Sequence, residues 1–298
     1  YNVAVGINAL NGNDYGESNI GIGRNALSYN QIQNELVAIG DSSMAFTEDY
    51  TAFGNTAVGT KTLLANVGGA ANTAIGFHSL NKNLANGNTA VGFRSLEENT
   101  IGTDNTVLGS QALGANSIGK NNTALGSLAL YNNITGSGNI AIGSEALNFS
   151  TTSNSNIAIG VNALRNNGFK SNLVAIGDSA LFNNSNFSTS SNQAIRNTAI
   201  GSKAMFRNET GTDNTATGFG AMYNNKVGNG NTAFGTNALN GAIGGGNTGI
   251  GSNALSNNSG NNNTAFGSFA LLGNLTGSGN VAIGASAGLT ETTSNKLY

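Results

Sequence analysis

A five-residue motif (Asn, a β-branched residue, Ala, an apolar residue, Gly) returns at near-constant spacing along almost the whole chain. Its closing glycines fall at 6, 23, 40, 59, 76, 92, 109, 126, 143, 160, 177, 201, 218, 235, 251, 267 and 284. That makes 17 copies separated by 16 or 17 residues, apart from one interval of 19 and one of 24. A unit this short cannot bury an apolar face alone and must stack on its neighbours to do so, which is the mark of a repeat architecture. Three residues after each Gly stands Ala, Ser or Thr, and the next residue is Leu or Met in every copy except the last, where it is Gly288. A polar stretch follows, such as Gly136-Ser137-Gly138. Each unit therefore reads as strand, Gly bend, short apolar segment and polar turn.

The second motif position is Thr, Ile or Val in all 17 copies, which favours a short strand. Gly permits the bend, and Asn and Gly suit the turns. The same strand recurs in the same direction, so the sheets should be parallel. The expectation is an all-β parallel β-solenoid or β-roll of about 17 coils over residues 1–288, with 289–298 as a tail or the start of a following segment. Asn opens 15 of the 17 copies, with Leu36 and Leu173 as exceptions. Stacked amides could form a hydrogen-bonded ladder, or serve only as turn residues.

The second and fourth positions share one strand face, the third position and the Gly the other. The fourth is apolar in every copy except Thr217, and the third is Ala in 14. Thr at the second position runs through 56, 73, 89, 106 and 123, and again through 198, 215, 232, 248 and 264. Because these Thr interchange with Ile and Val and share a face with Ile, Val and Phe, they are expected to be buried. The smooth Ala/Gly face is then expected to pack against a neighbouring copy, as a homotrimer of side-by-side coils. The competing reading is that Ala and Gly narrow the coil itself. Charges gather two residues after the Gly, at Lys61, His78, Arg94, Glu145 and Lys203, a stripe that should face water.

Composition narrows the function classes. Only 9% of residues are charged, the net charge is −2, and there is no Cys, Pro or Trp. No basic face is available for nucleic acid, and neither disulfides nor thiolate metal sites can form. No apolar run approaches the roughly 18 residues needed to cross a membrane. Tyr1 lies inside a repeat, and no polar cap is evident at either end. This suggests a mature product or a piece of a longer fibre, with head-to-tail stacking as another expectation.

A search for chemistry nominates no catalytic, cofactor-binding or metal-ligating residue. Gly284-Ala285-Ser286-Ala287-Gly288 matches a nucleophile-elbow pattern, but Gly284 is the repeat's own Gly and the one His, His78, precedes the Ser. Gly244-Gly245-Gly246 lacks the Lys and the helix of a phosphate loop. Asp104 and Asp213 each precede a motif Asn but are isolated, whereas calcium-binding β-rolls need an Asp in each coil. Asn133-Ile134-Thr135 is one of several chance glycosylation triplets. The 24-residue interval holds an insertion near Asn186–Arg196, the best candidate for specific contact, because solenoid insertions emerge as loops.

Copies such as Asn280-Val281-Ala282-Ile283-Gly284 and Asn156-Ile157-Ala158-Ile159-Gly160 resemble the head domains of trimeric autotransporter adhesins. They are also similar to the repeat regions of bacterial, phage and giant-virus fibre proteins that precede an intramolecular chaperone. The resemblance covers nearly the whole chain. It implies a trimeric extracellular or cell-surface fibre that contacts a host surface, matrix or glycan. The reading is a non-enzymatic structural or adhesive fibre module without cofactor, mediating attachment or filament formation. The alternatives are an ice- or glycan-binding β-solenoid and a viral or phage tail-fibre shaft.

Overall fold

Each motif copy becomes a three-residue strand, because a β-branched residue and an apolar residue flank a small one that fits the inside of the bend. A computed structural model describes residues 1–47, 51–184, 190–241 and 243–298, in two units, Tyr1–Ser153 and Asn154–Tyr298. The first unit holds β1 (Val3–Val5), β2 (Ile20–Ile22), β3 (Val37–Ile39), β4 (Thr56–Val58), β5 (Thr73–Ile75), β6 (Thr89–Val91), β7 (Thr106–Leu108), β8 (Thr123–Leu125) and β9 (Ile140–Ile142). The second holds β10 (Ile157–Ile159), β11 (Val174–Ile176), β12 (Asn183–Asn184), β13 (Thr198–Ile200), β14 (Arg207–Asn208), β15 (Thr215–Thr217), β16 (Thr232–Phe234), β17 (Thr248–Ile250), β18 (Thr264–Phe266) and β19 (Val281–Ile283).

Within each unit every motif strand pairs in parallel with the next, in register, as in Thr89 opposite Thr106 and Thr232 opposite Thr248. The chain is thus an all-β parallel solenoid with 17 motif strands. The extra strands β12 and β14 pair with each other on either side of the longest coil. Residues after 288 continue the winding: Val281 bridges to Leu297, and the Val281 N–H donates to the Lys296 carbonyl at 2.8 Å. Among the described residues, no helix is long and apolar enough to cross a membrane.

The interior is narrow. Ala at the third strand position, the small residue and Leu or Met after the bend, and two Asn side chains per coil fill it. Ala90, Ala112, Leu113 and Asn105 are all fully buried. This corrects the reading of the two strand faces. The Ala face is the coil's interior and not a surface for another copy, while the Thr-bearing face points out. Strands β6, β7, β15, β16 and β18 each have an exposed Thr, a buried middle residue and a half-buried or exposed fourth residue. The cause is width. Little more than a methyl group fits between the strand and the Leu opposite it, with Val107 the largest residue taken inward, so the larger side chains turn outward. At Gly249, a Cβ would already come within 3.2 Å of Leu239.

Two buried amide ladders join the coils. The motif Asn of one coil accepts, through Oδ1, the backbone N–H of the next: Asn105 to Asn88 at 3.0 Å, Asn122 to Asn105 at 3.0 Å, Asn139 to Asn122 at 3.0 Å. Each of these amides also donates inward, as from Asn105 to the Gly119 carbonyl at 3.0 Å. A second column runs through Asn83, Asn99, Asn116 and Asn133, with side-chain to side-chain bonds of 2.7, 2.7 and 2.8 Å. Of the two roles open to the motif Asn, the ladder is the one present, and a second column doubles it. It lapses where Asn is replaced: Thr47 follows Asn30 in the second column, and both Asn30 Oδ1 and Thr47 Oγ1 are buried without a partner.

The bend after each strand depends on one close approach. Gly109, at φ 146°, lies so near the next coil that a Cβ would sit 2.4 Å from the Gly126 carbonyl oxygen. Beyond the bend, the residue two after the Gly and the buried Leu or Met both take left-handed backbone, as in Gln111 (φ 55°) and Leu113 (φ 51°). Such conformations cost about 1–2 kcal/mol per L-residue, and burying a Leu side chain, at about 1.5–3 kcal/mol, offsets the cost.

Two stability outcomes follow from this packing. Asn105→Ala should destabilise by about 1–3 kcal/mol for each buried group it strands, whereas Lys203→Ala, exposed and off the sheet, should change stability by less than about 0.5 kcal/mol. Urea unfolding followed by circular dichroism reads both, and equal effects would contradict the buried-ladder account. Thr47→Asn should close the gap above Asn30 and stabilise by about 1 kcal/mol, seen as a raised urea midpoint; a lowered midpoint would oppose it.

Candidate functional site

The strands place one surface that the interior does not use. Because side chains alternate along a strand, burying the middle residue sends the second and fourth outward in every coil. In the first unit, β4 to β8 present Thr56, Thr73, Thr89, Thr106 and Thr123 beside Val58, Ile75, Val91, Leu108 and Leu125. In the second, Thr198, Thr215, Thr232, Thr248 and Thr264 lie beside Ile200, Thr217, Phe234, Ile250 and Phe266. Leu108 is 54% exposed, Phe234 59% and Phe266 55%. None of these positions carries a charge, and coils repeat along the sheet at about 4.8 Å. The result is an outward, uncharged lattice of hydroxyls and hydrocarbon.

Charge lies elsewhere. Among the residues predicted for a solvent-facing stripe, Lys61, Arg94 and Lys203 are exposed, and His78 and Glu145 are half-buried. His78 Nδ1 lies 3.2 Å from Glu97, which also holds Arg94 at 2.7 Å, and the His78 ring stacks on Phe77 at 4.2 Å. The lone His thus hydrogen-bonds the Glu97 that Arg94 also holds, on the coil surface, a role its isolation in the sequence did not reveal. Arg24 grips Asp41 and Arg196 grips Asp213 with two bonds each. Both Arg–Asp pairs join residues on adjacent coils. The bond from Arg24, and a second from Ser42, hold the Asp41 carboxyl below its ordinary value; the Arg196 bond does the same for Asp213.

The remaining sequence candidates are dispersed. Ser286 is an exposed turn residue just after β19. Among the described residues, no three His, Cys, Asp or Glu side chains gather as a metal site would require. Asp213 is occupied by Arg196, while Asp104 takes a left-handed turn at φ 58°. Of the insertion at Asn186–Arg196, residues 186–189 lie outside the described residues. In the remainder, Ala194 is buried and Arg196 makes the ion pair to Asp213.

The sequence reading missed Lys170. It stands where later coils of its unit carry Ala194 or Gly211, and it is 1% exposed. Its ammonium group meets the Ser190 carbonyl and lies 4.2 Å over the Phe169 ring, and burial lowers its pKa. A Lys in a column of small residues, one coil before the longest interval, was the available signal. Nearby, Phe182 of the long coil and Phe206 and Tyr223 of the next two coils stack at 5.0 Å intervals. Compared with protein-family models and with the sequences of curated proteins, the chain matches none.

The Arg–Asp pairs set a pH outcome. A depressed carboxylate pKa contributes stability above the unfolded value and loses it as pH falls through the folded value, so any loss is confined to acid below about pH 4. Carboxyl carbon NMR should place the Asp213 midpoint below its ordinary 3.8, and Arg196→Gln should raise it. A midpoint that Arg196→Gln leaves in place would show that the pair is not formed in solution.

Proposed function

We propose that this chain is a structural and adhesive fibre module that works by associating with copies of itself through the outward sheet face, without catalysis. One observation carries this reading: the uncharged Thr and aliphatic lattice that points outward, exposed or half-buried, on coil after coil. An exposed apolar area of that continuity marks an interaction surface more often than a solvated one. Its period selects the partner. Side chains repeating with every coil are matched along their whole length only by a surface of the same period, which a parallel copy of the chain supplies. Three copies around a common axis would enclose all three faces, in keeping with the resemblance to trimeric adhesin heads and fibre repeats. The stripes of charged and aromatic residues would then form the outer wall. An extracellular setting and attachment to a host surface or matrix belong to the same reading.

A specific observation favours a second reading. The Thr hydroxyls of the two five-residue runs point outward instead of being buried, and a regular hydroxyl-methyl array can order water as an ice surface does. The bulky Phe234 and Phe266 in the companion column break the flatness that ice would need in the second unit.

Light scattering coupled to size exclusion separates the two readings. Three times the mass of the 29.9 kDa chain is expected, falling to one when Val91 and Leu108 are both changed to Asp. A wild-type monomer that inhibits ice recrystallisation, and loses that inhibition with Thr89→Tyr, would replace self-association with ice binding. A monomer without that activity would remove both.

A further inference from the structure

A second surface feature lies off the sheet, on the first coils. Residues two, five and six places after the motif Gly run side by side there: Asn8, Asn11 and Gly12; Asn25, Ser28 and Tyr29; Ser42, Ala45 and Phe46. They shape a groove of about 290 Å³ that ends against Leu64. One wall is aromatic. Tyr29 and Phe46 stack with ring centroids 5.1 Å apart and 15° between their planes, and Phe46 is fixed by its bridge to Ala65. Gly12 holds the equivalent place one coil earlier, so no side chain covers Tyr29 from that side. A Cβ there would lie 2.8 Å from the Ser28 carbonyl oxygen, which keeps the position bare. Tyr29 is accordingly 55% exposed.

The facing wall is made of amides. Asn8 and Asn25 share the same left-handed backbone, φ 57°, so successive coils present them alike. Asn8 Nδ2 donates to Asn25 Oδ1 at 3.2 Å, which aligns the two and leaves the Asn25 amide hydrogens for a ligand. Asn11 is exposed at the groove's edge, and the floor is Ser28 and Ala45. Among the described residues, no charged side chain lines the groove; the nearby Arg24 and Asp41 satisfy each other.

This combination selects a ligand class. An aromatic face takes an apolar surface, while each Asn amide offers both a donor and an acceptor. An anion would find no counter-charge, and an extended peptide would find no sheet edge. A pyranose ring has a C–H face to lie on Tyr29 and a rim of hydroxyls to bond the amides. Spanning three coils, the groove is about 10 Å long at sheet spacing, room for a short oligosaccharide. We propose that this groove binds a neutral saccharide, stacked on Tyr29 and hydrogen-bonded by Asn8, Asn11 and Asn25. The site does not depend on self-association, because none of its residues belongs to the sheet face. Where copies do associate, several weak sites act together.

The test uses the full chain on an array of neutral hexose and N-acetylhexosamine oligosaccharides, followed by saturation-transfer NMR with cellotriose, chitotriose and, as an anionic comparison, sialyllactose. Saturation transfer to a neutral sugar is expected. Tyr29→Ala and Asn25→Ala should each weaken it at least tenfold, while Tyr29→Phe and, in the other unit, Tyr223→Ala retain it. An unchanged circular dichroism spectrum and thermal midpoint would confirm that the weakened variants remain folded. No neutral glycan bound on the array or by NMR, binding that survives Tyr29→Ala, or binding of sialyllactose alone would each overturn the proposal.

Discussion

The buried Asn amide is the group on which the coil depends. A 17-residue turn encloses too little hydrocarbon to hold itself, and its backbone leaves inward-facing carbonyl and N–H groups that water cannot reach. The side chains of Asn88, Asn105 and Asn122 meet both needs, each donating to a carbonyl within the coil interior and accepting the next coil's N–H. An unpaired buried polar group costs about 1–3 kcal/mol, so a lapse in the ladder is expensive and a continuous one ties each coil to the next. Leu36 and Leu173, both buried, show the other solution: where the amide is absent, hydrocarbon fills the place.

Much of this was legible in the sequence, because repetition converts weak local signals into strong ones. A single Asn-Thr-Ala-Val-Gly says little; its return fixes parallel pairing, register and the Gly bend together. What was misread was the side of the strand that faces in. Period-two alternation separates two faces without naming the interior one, and hydrophobicity favoured the Ile- and Phe-bearing face. Steric width decided otherwise, since Ala is what fits opposite a Leu in so thin a coil. The left-handed backbone at Leu113 and Gln111 was also hidden. Leu and Gln give no hint of it, unlike Gly or Asn, and it is imposed by the coil closing on itself.

These constraints divide the surface by role. The sheet side repeats because the strand must repeat, so in each unit it offers an uncharged lattice. The stretch after the bend is free to vary, and there the chain places its ion pairs, its aromatic stacks and the amide-lined groove around Tyr29. Lys170 shows the limit of that freedom: an ammonium group reaches an interior column only where the coil lengthens next to it and a carbonyl meets it.

The central claim is that the exposed Thr and aliphatic face is covered by a second copy of the chain. The absence of native Cys allows a single nitroxide label to be placed at will. With the label at Thr106→Cys, electron spin resonance should show strong dipolar coupling between chains that disappears on dilution with unlabelled protein, while a label at the exposed Lys61→Cys should show much weaker coupling. A Thr106 label as free of coupling as one at Lys61 would contradict the account and leave the face to solvent or to ice.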